Sequence, residues 1–342
     1  MFDQDFFDKL EDYCDKGYIR KSKHPVLPLT IYNYTEKTTW EGKWDNITTY
    51  TRGLIINHTQ KPSVFIQGPK KFFNIGEKFA PTLDLQNCVI SEKLDGYYIS
   101  IKQDSVFGLV TTSRGSFCNK YTLSAEKLIT NEIRGQIQQN TEYFCELLQN
   151  FEEDSNIIVT KHPKPKLVCW AMRVNGQEVI PNPTNCPFEV AKKFTFNQAQ
   201  KYLTQEVEGV VAFDQSTGDR VKIKTEWFLN MHRMISDCSP SRVWELNSKG
   251  GRVEDLDIPD EFMNQMQQWQ KTLDDKIYIE TKRLYKIFDK YSNLSDKELG
   301  LSKIDSYDKS QIYNLRKGRI RTFSDKIYLK YKSNFYEIED NH

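Results

Sequence analysis

The sequence predicts an α+β chain in two parts, a strand-rich first part and an all-α second part. Three observations predict it. Short apolar runs bounded by turn residues recur between residues 26 and 227. Helical spacing interrupts them near the start and again around residues 121–133. After Ser239-Pro240 the strand pattern gives way to helical spacing, so a boundary is placed between residues 1–237 and residues 238–342.

The elements follow in order. Residues 1–25 open with a short helix, since Phe2, Phe6, Leu10 and Tyr13 recur at helical spacing. Residues 26–80 read as short strands and turns. Leu54-Ile55-Ile56 follows Arg52-Gly53 in one strand, with Pro62 in the turn after it. Residues 88–102 and 105–112 read as two strands of a hairpin, joined by the polar Gln103-Asp104. Apolar residues at 121, 125, 128, 129 and 133 fit one helix. Strands return at 143–148, 167–174, 208–213 and 221–227, and residues 161–166 form a basic loop. Phe262, Met266, Trp269, Leu273 and Ile277 mark a long amphipathic helix with Pro259 near its start.

Composition narrows the function. With 342 residues the chain is long enough for a substantial core. Hydrophobic residues make up 38% and charged residues 28%, a soluble globular composition. No apolar run is long enough to span a membrane, and the acidic start lacks the order of a signal peptide, so no membrane partner is expected. The seven cysteines form no Cys-x-x-Cys pair and the five histidines show no ligand spacing. They read as reduced thiols in a cell interior, the cytoplasm, and not as a zinc site or disulfide frame. A net charge of +1 argues against tight non-specific binding to a long polyanion, though it leaves room for a basic cleft.

Lys93 in Lys93-Leu94-Asp95-Gly96 is the candidate nucleophile. A free lysine amine attacking an α-phosphate forms a phosphoramidate, and nearby cations or burial activate such an amine. Gly96 lets the backbone turn tightly or approach a ligand closely. Alone, the tetrapeptide reads equally as a surface turn. Lys222 and Lys224 stand two apart on a strand, so both face one side while Val221 and Ile223 face the core. That pair would neutralise a phosphate and activate Lys93; alone it also reads as a solvated edge strand. Glu208, on a strand before Gly209, is a candidate for Mg²⁺. Glu146, between apolar neighbours, is a candidate acceptor for ribose hydroxyls. Either carboxylate also reads as an exposed strand residue or a salt-bridge partner. Arg52 and Lys71 are candidate phosphate ligands or solvated charges.

Taken together with Ser113-Arg114-Gly115-Ser116, Phe144-Cys145-Glu146, Val207-Glu208-Gly209-Val210 and Val221-Lys222-Ile223-Lys224, these segments resemble the covalent nucleotidyltransferase superfamily of polynucleotide ligases and capping enzymes. Thr51-Arg52-Gly53-Leu54-Ile55, Lys71-Phe72-Phe73-Asn74-Ile75-Gly76-Glu77, and Lys222 to Phe228 followed by His232 narrow the resemblance to RNA ligases of the bacteriophage T4 RNA ligase 1 type. It spans roughly residues 30–235.

The resemblance implies a ligase domain of antiparallel sheets flanked by helices, with the nucleotide in the cleft between them. It implies that Lys93 takes AMP from ATP, with Mg²⁺ or Mn²⁺ assisting. Arg52, Lys71, Glu92, Gly96, Arg114, Glu146 and Glu208 would bind the nucleotide, with Glu208 also serving metal. Lys222 and Lys224 would meet the α-phosphate. Arg114 stands where the family often has lysine, and Ser155-Asn156-Ile157-Ile158-Val159 matches the family loosely. Trp170 and Phe228 both remain open as the adenine-stacking ring. AMP would pass to a 5′-phosphate on RNA, and a 3′-hydroxyl would displace it. Cleaved transfer RNA is the substrate suggested by analogy, with a separate end-healing kinase and phosphatase upstream.

The helical tail favours this reading over a DNA ligase or messenger-RNA guanylyltransferase, whose tail is a β-rich OB fold. Arg316, Lys317, Arg319, Arg321, Lys326, Lys330 and Lys332, interleaved with Tyr313, Tyr328 and Tyr331, read equally as an RNA grip or a solvated helix face. A non-catalytic RNA-binding protein on the same scaffold is the third reading.

Overall fold

The computed structural model describes residues 2–151, 158–256, 258 and 260–331. The chain divides into two compact units, Met1–Asn230 and Met231–His342. The first is a mixed unit of antiparallel sheets flanked by helices, and the second is largely helical.

The first unit opens with helix α1 (Gln4–Asp15), capped by Asp3, whose carboxylate accepts from the Phe6 amide at 3.0 Å. Its apolar face, Phe6, Phe7 and Leu10, packs on Tyr32, Leu54 and Ile56 of the first sheet. That sheet is fully antiparallel, in the order β1 (Ile19–Lys23), β2 (Leu29–Tyr34), β3 (Arg52–Asn57), β4 (Ser63–Ile66). β1 and the short helix α2 (Glu36–Trp40) lie where the sequence suggested only an opening helix and then strands and turns.

Two further sheets follow. One runs β11 (Gln177–Val179), β10 (Lys166–Val174), β9 (Thr141–Leu148), β7 (Tyr97–Asp104), β8 (Gly108–Ser113), with β12 (Glu189–Val190) parallel to β10. The other runs β13 (Lys193–Phe194), β6 (Val89–Lys93), β14 (Gly209–Phe213), β15 (Arg220–Lys224), β5 (Phe73–Asn74), with β5 parallel to β15. The expected strand over 88–102 is therefore two strands in different sheets, broken at Leu94–Gly96. The reason is local. A Cβ at Gly96 would lie 2.6 Å from the Leu147 carbonyl oxygen and 2.8 Å from Glu146 Cγ. The chain crosses there at a spacing that a pleated strand of larger residues cannot adopt. The hairpin itself forms, between β7 and β8.

Three other expectations are corrected. The helix over 121–133 is two, α3 (Lys120–Leu128) and α4 (Asn131–Gln136), because the Thr130 hydroxyl caps the second. The strand expected over 221–227 ends at Lys224, because Thr225 Oγ1 accepts from the Phe228 amide and starts α6 (Glu226–Asp237). Glu208 precedes β14 by one residue instead of lying on it. Helix α5 (Phe196–Tyr202) and strands β11 to β13 were not anticipated.

The second unit holds α7 (Pro240–Ser248), α8 (Asp260–Tyr291), α9 (Asp296–Leu301), α10 (Ser306–Arg316) and α11 (Ser324–Tyr331), with no strand among the described residues. Met266 and Leu273 of α8 pack on Val243, and Leu284 packs on Leu299, Ile312 and Phe323. Arg316 is not free to grip a ligand. Its guanidinium donates to the carbonyls of Tyr291, Ser292 and Leu294 and pairs with Asp296. Lys330 pairs with Glu280 at 2.8 Å. Lys332 lies outside the described residues, as do Ser155, Asn156 and Ile157. No described helix is long and apolar enough to cross a membrane.

Candidate active site

Strand register builds the centre of the site. Lys93 on β6 pairs with Gly209 on β14, which pairs with Lys224 on β15. One step along, Ser91 and Lys222 flank Val211 in the same way. Pleating puts Lys93, Lys222 and Lys224 on one face. The opposite face, with Ile90, Val210, Ala212 and Val221, is apolar and packs under Ala199 of α5. Gly209 is the middle of the row, with φ at +146°, and a Cβ there would lie 2.0 Å from the Ile223 carbonyl oxygen. Only glycine allows the three strands to align at this point.

Glu208 enters beside that row. Its Oε1 lies 2.6 Å from Lys93 Nζ and 3.1 Å from Lys224 Nζ, with the glutamate side chain only 5% exposed. Its Oε2 is buried without a hydrogen-bond partner. Lys224 Nζ also lies 4.5 Å from the Phe228 ring centroid. Phe228 itself is buried.

A cavity of about 620 Å³ lies between the first two sheets, lined among others by Arg52, Gly96, Tyr98, Arg114 and Glu146. Arg52 Nη1 is buried without a partner, and its guanidinium stacks 5.2 Å from the Tyr98 ring and 5.4 Å from the Phe72 ring. Lys71 lines a neighbouring cavity of about 370 Å³ with Trp44 and Phe73. Its Nζ donates to the Phe72 carbonyl. Trp170 packs against Phe72 and Tyr98, and its indole N–H is buried without a partner.

The electrostatics tie these groups together. Burial pushes the Glu146 carboxyl up to about 7, opposed by Lys93 and Arg52 and reinforced by Glu208 and Asp95. Burial pushes Lys222 down to about 8, helped by the neighbouring Lys71, Lys93 and Lys224. Lys71 is brought to about 8 the same way, by burial first and then by Arg52. The structure therefore brings Arg52, Lys71, Lys93, Gly96, Arg114, Glu146, Glu208, Lys222 and Lys224 into one region.

Glu92 does not join them. It alternates to the other face of β6, where its carboxylate accepts from the Lys192 amide at 2.8 Å and meets the Tyr202 hydroxyl at 3.4 Å. Sequence reasoning gave Asp95 no role, and the structure gives it one. Asp95 Oδ2 accepts from the Val159 and Thr160 amides at 2.7 and 2.8 Å, and His162 bonds its carbonyl at 2.6 Å. Asp95 thus fixes the turn that carries Lys93. Its place in Lys93-Leu94-Asp95-Gly96 was the available signal.

The region suits a nucleotide with a metal ion. Glu208 offers one open carboxylate oxygen, and Mg²⁺ commonly takes one or two carboxylates and completes its shell with phosphate oxygens and water. Among the described residues no group of three or more His, Cys, Asp or Glu is placed to hold a metal ion unaided.

The basic row, the glutamate against it and the adjoining cavity gather most of the candidate residues in one place. The family model described as RNA ligase matches residues 50–228, just over half of the chain, and the chain belongs to that family. Among solved structures it is similar to an archaeal ATP-dependent RNA ligase, with 15% identity, a TM-score of 0.49, and coverage of 77% of this chain and 75% of that one. A putative ATP-dependent DNA ligase from Aquifex aeolicus gives 12% identity, a TM-score of 0.43 and coverage of 80% and 74%. A Naegleria gruberi RNA ligase gives 14% identity, a TM-score of 0.33 and coverage of 44% and 52%. The assignment rests on the family match and not on these likenesses. No curated protein matches the chain.

Proposed function

We propose that this protein is an ATP-dependent RNA ligase that joins a 5′-phosphate to a 3′-hydroxyl through AMP carried on Lys93. The observation that carries this is the row across the third sheet, in which Glu208 sits between the ammonium groups of Lys93 and Lys224. A lysine that served only as a surface charge would not need two strands and a glycine at +146° to place it.

The reaction begins when Lys93 Nζ leaves Glu208, sheds a proton to water and attacks the α-phosphorus of ATP. A P–N bond forms, the bond from phosphorus to the bridging oxygen breaks, and pyrophosphate departs. Lys222 and Lys224, on the same face, offset the charge that grows on the α-phosphate oxygens. Arg52 and Lys71 meet the phosphate tail, with Arg114 beside them. Glu146 lines the cavity at the level of Gly96 and accepts from ribose hydroxyls. Mg²⁺, or Mn²⁺, held by Glu208 would neutralise phosphate charge when bound. A 5′-phosphate oxygen of RNA then attacks the AMP phosphorus and releases the lysine. The 3′-hydroxyl of the second end displaces AMP to form the phosphodiester.

The helical unit is proposed as the module that selects the RNA, with cleaved transfer RNA as the expected substrate. A separate kinase and phosphatase would prepare the ends. The test is to incubate the protein with Mg²⁺ and α-labelled ATP or GTP, denature it and look for label on the chain. Label from ATP that is absent in Lys93→Ala supports the proposal. Label from GTP alone moves it to a capping-type enzyme. No label from either, in folded protein, removes the covalent mechanism.

A further inference from the structure

The N-terminal hairpin lies before residue 50, where the family match begins. It nevertheless forms one wall of the 620 Å³ cavity, through Arg20 on β1 and Ile31 and Asn33 on β2. Arg20 and Arg114 also line a second cavity of about 420 Å³, floored by Tyr34 and Thr35. The two guanidiniums thus stand where the cavities meet.

Three features of this corner point to an anion. First, neither Arg20 nor Arg114 has a carboxylate within ion-pair distance among the described residues. Lys21, the next residue on β1, turns away to pair with Glu11. Glu36 lines the second cavity without forming an ion pair with either arginine. Glu146 lines the larger cavity and likewise forms no ion pair with either arginine. Second, Gly115 makes the approach possible. A Cβ there would come 3.2 Å from Arg20 Nη2 and 3.5 Å from Asn33 Nδ2, so the loop carrying Arg114 lies directly against both donors. Third, Asn33 is buried, and its Oδ1 is taken by the Gly53 amide at 3.1 Å. That bond fixes the amide so that its NH₂ group faces Gly115 and Arg20.

We propose that Arg20 and Arg114, with the Asn33 amide, form a phosphate-binding subsite that the N-terminal hairpin adds to the ligase centre. Planar guanidiniums beside a fixed amide donor suit a terminal phosphate with two or three free oxygens. Two sources carry that group, the 5′-phosphate of an RNA end and the outer phosphates of ATP. The identity of the ligand rests on the ligase reading; the binding of a phosphate does not.

The experiment uses the full chain and equilibrium binding, which requires no turnover. One arm compares a short fluorescent RNA bearing a 5′-phosphate with the same RNA bearing a 5′-hydroxyl. The other compares ATP with AMP. Arg20→Gln, an exposed substitution, is expected to weaken one phosphate-bearing ligand about tenfold and leave its phosphate-poor partner unchanged. Arg20→Lys is expected to recover part of the loss, and Lys23→Gln, on the same strand, to change nothing. Loss of discrimination in the RNA arm assigns the subsite to the RNA end, and loss in the ATP arm assigns it to the nucleotide tail. Discrimination within twofold of wild type in both arms, for Arg20→Gln that melts normally, overturns the proposal. An unlabelled Lys93 would sink the ligase reading while leaving these binding arms to decide the subsite.

Discussion

Replacing Gly209 by alanine tests whether strand register places the site. The residue sits at φ +146°, a conformation that costs a side-chain-bearing residue about 1–3 kcal/mol. The new Cβ would also fall 2.0 Å from the Ile223 carbonyl oxygen and 2.9 Å from Lys224 Cα. Both are backbone atoms, so β14 and β15 must part by roughly an ångström, at an overpacking cost of about 1–3 kcal/mol. The sum, about 2–6 kcal/mol, lowers the melting temperature by roughly 5–20 °C for a unit of this size. Because Gly209 lies between Lys93 and Lys224, the same shift misplaces both amines, and an ångström of misplacement costs on the order of a hundredfold in rate. Gly218→Ala is the control. Gly218 is also at positive φ, +77°, but an added Cβ meets nothing within 4 Å, so only about 1–2 kcal/mol of strain is expected. The assays are thermal melting and the rate of Lys93 labelling by ATP. If the two variants melt together and Gly209→Ala labels at the wild-type rate, register does not position the lysines.

Three further outcomes are expected. Glu146, raised by burial to about 7, binds more protons folded than unfolded between about pH 4.5 and 7. Its contribution is full below the unfolded value and is lost as pH rises through 7. Urea unfolding should therefore show wild-type stability falling by up to about 3 kcal/mol over that range relative to Glu146→Gln; parallel profiles would refute it. Lys222, held near 8, loses its charge as pH rises, so ATP affinity by calorimetry should fall above pH 8 and fall less steeply in Lys222→Arg, whose charge persists. Affinity that is flat from pH 7 to 9.5 in the wild type contradicts this. Arg316→Ala removes the donor to three carbonyls at the end of α8 and should cost the helical unit about 1–3 kcal/mol in denaturant while leaving the salt dependence of RNA binding nearly unchanged.

The fold class was legible in the sequence, and the candidate residues were legible as motifs, whereas several element boundaries were not. Lys93, Glu208, Lys222 and Lys224 are legible because each sits in a short contiguous motif, and two-residue spacing on a strand needs no knowledge of its neighbours. The break after Lys93 was not legible. Residues 88–102 keep strand composition throughout, and what ends β6 is the approach of β9 to Gly96, a contact between residues about 50 apart in the chain. Glu92 fails for a related reason. The resemblance placed its side chain among the nucleotide ligands, whereas the pleat sends neighbours of Lys93 to the opposite face, where Glu92 accepts from the Lys192 amide. Arg316, which read equally as part of an RNA grip or of a solvated helix face, instead donates to carbonyls at a helix end, and a basic cluster looks the same in sequence in each case.

Glu208 explains why such a dense set of cations folds at all. Lys71, Lys93, Lys222 and Lys224 repel one another, and the lowered Lys71 and Lys222 show that burial and like charge already disfavour their ammonium forms. A carboxylate between Lys93 and Lys224 offsets part of that repulsion through one oxygen and keeps the other open. The arriving phosphates of a nucleotide would take over the same role, freeing Lys93 from its ion pair as the substrate enters. On the proposed reading the glutamate would serve two states with one position: it would hold the amines in place before a nucleotide binds, and its free oxygen would be available to a metal ion afterwards. Glu208→Gln keeps the shape and removes the charge. It should therefore lose stability in the absence of nucleotide and gain more from added ATP than the wild type does; an equal gain in both would mark a purely structural glutamate.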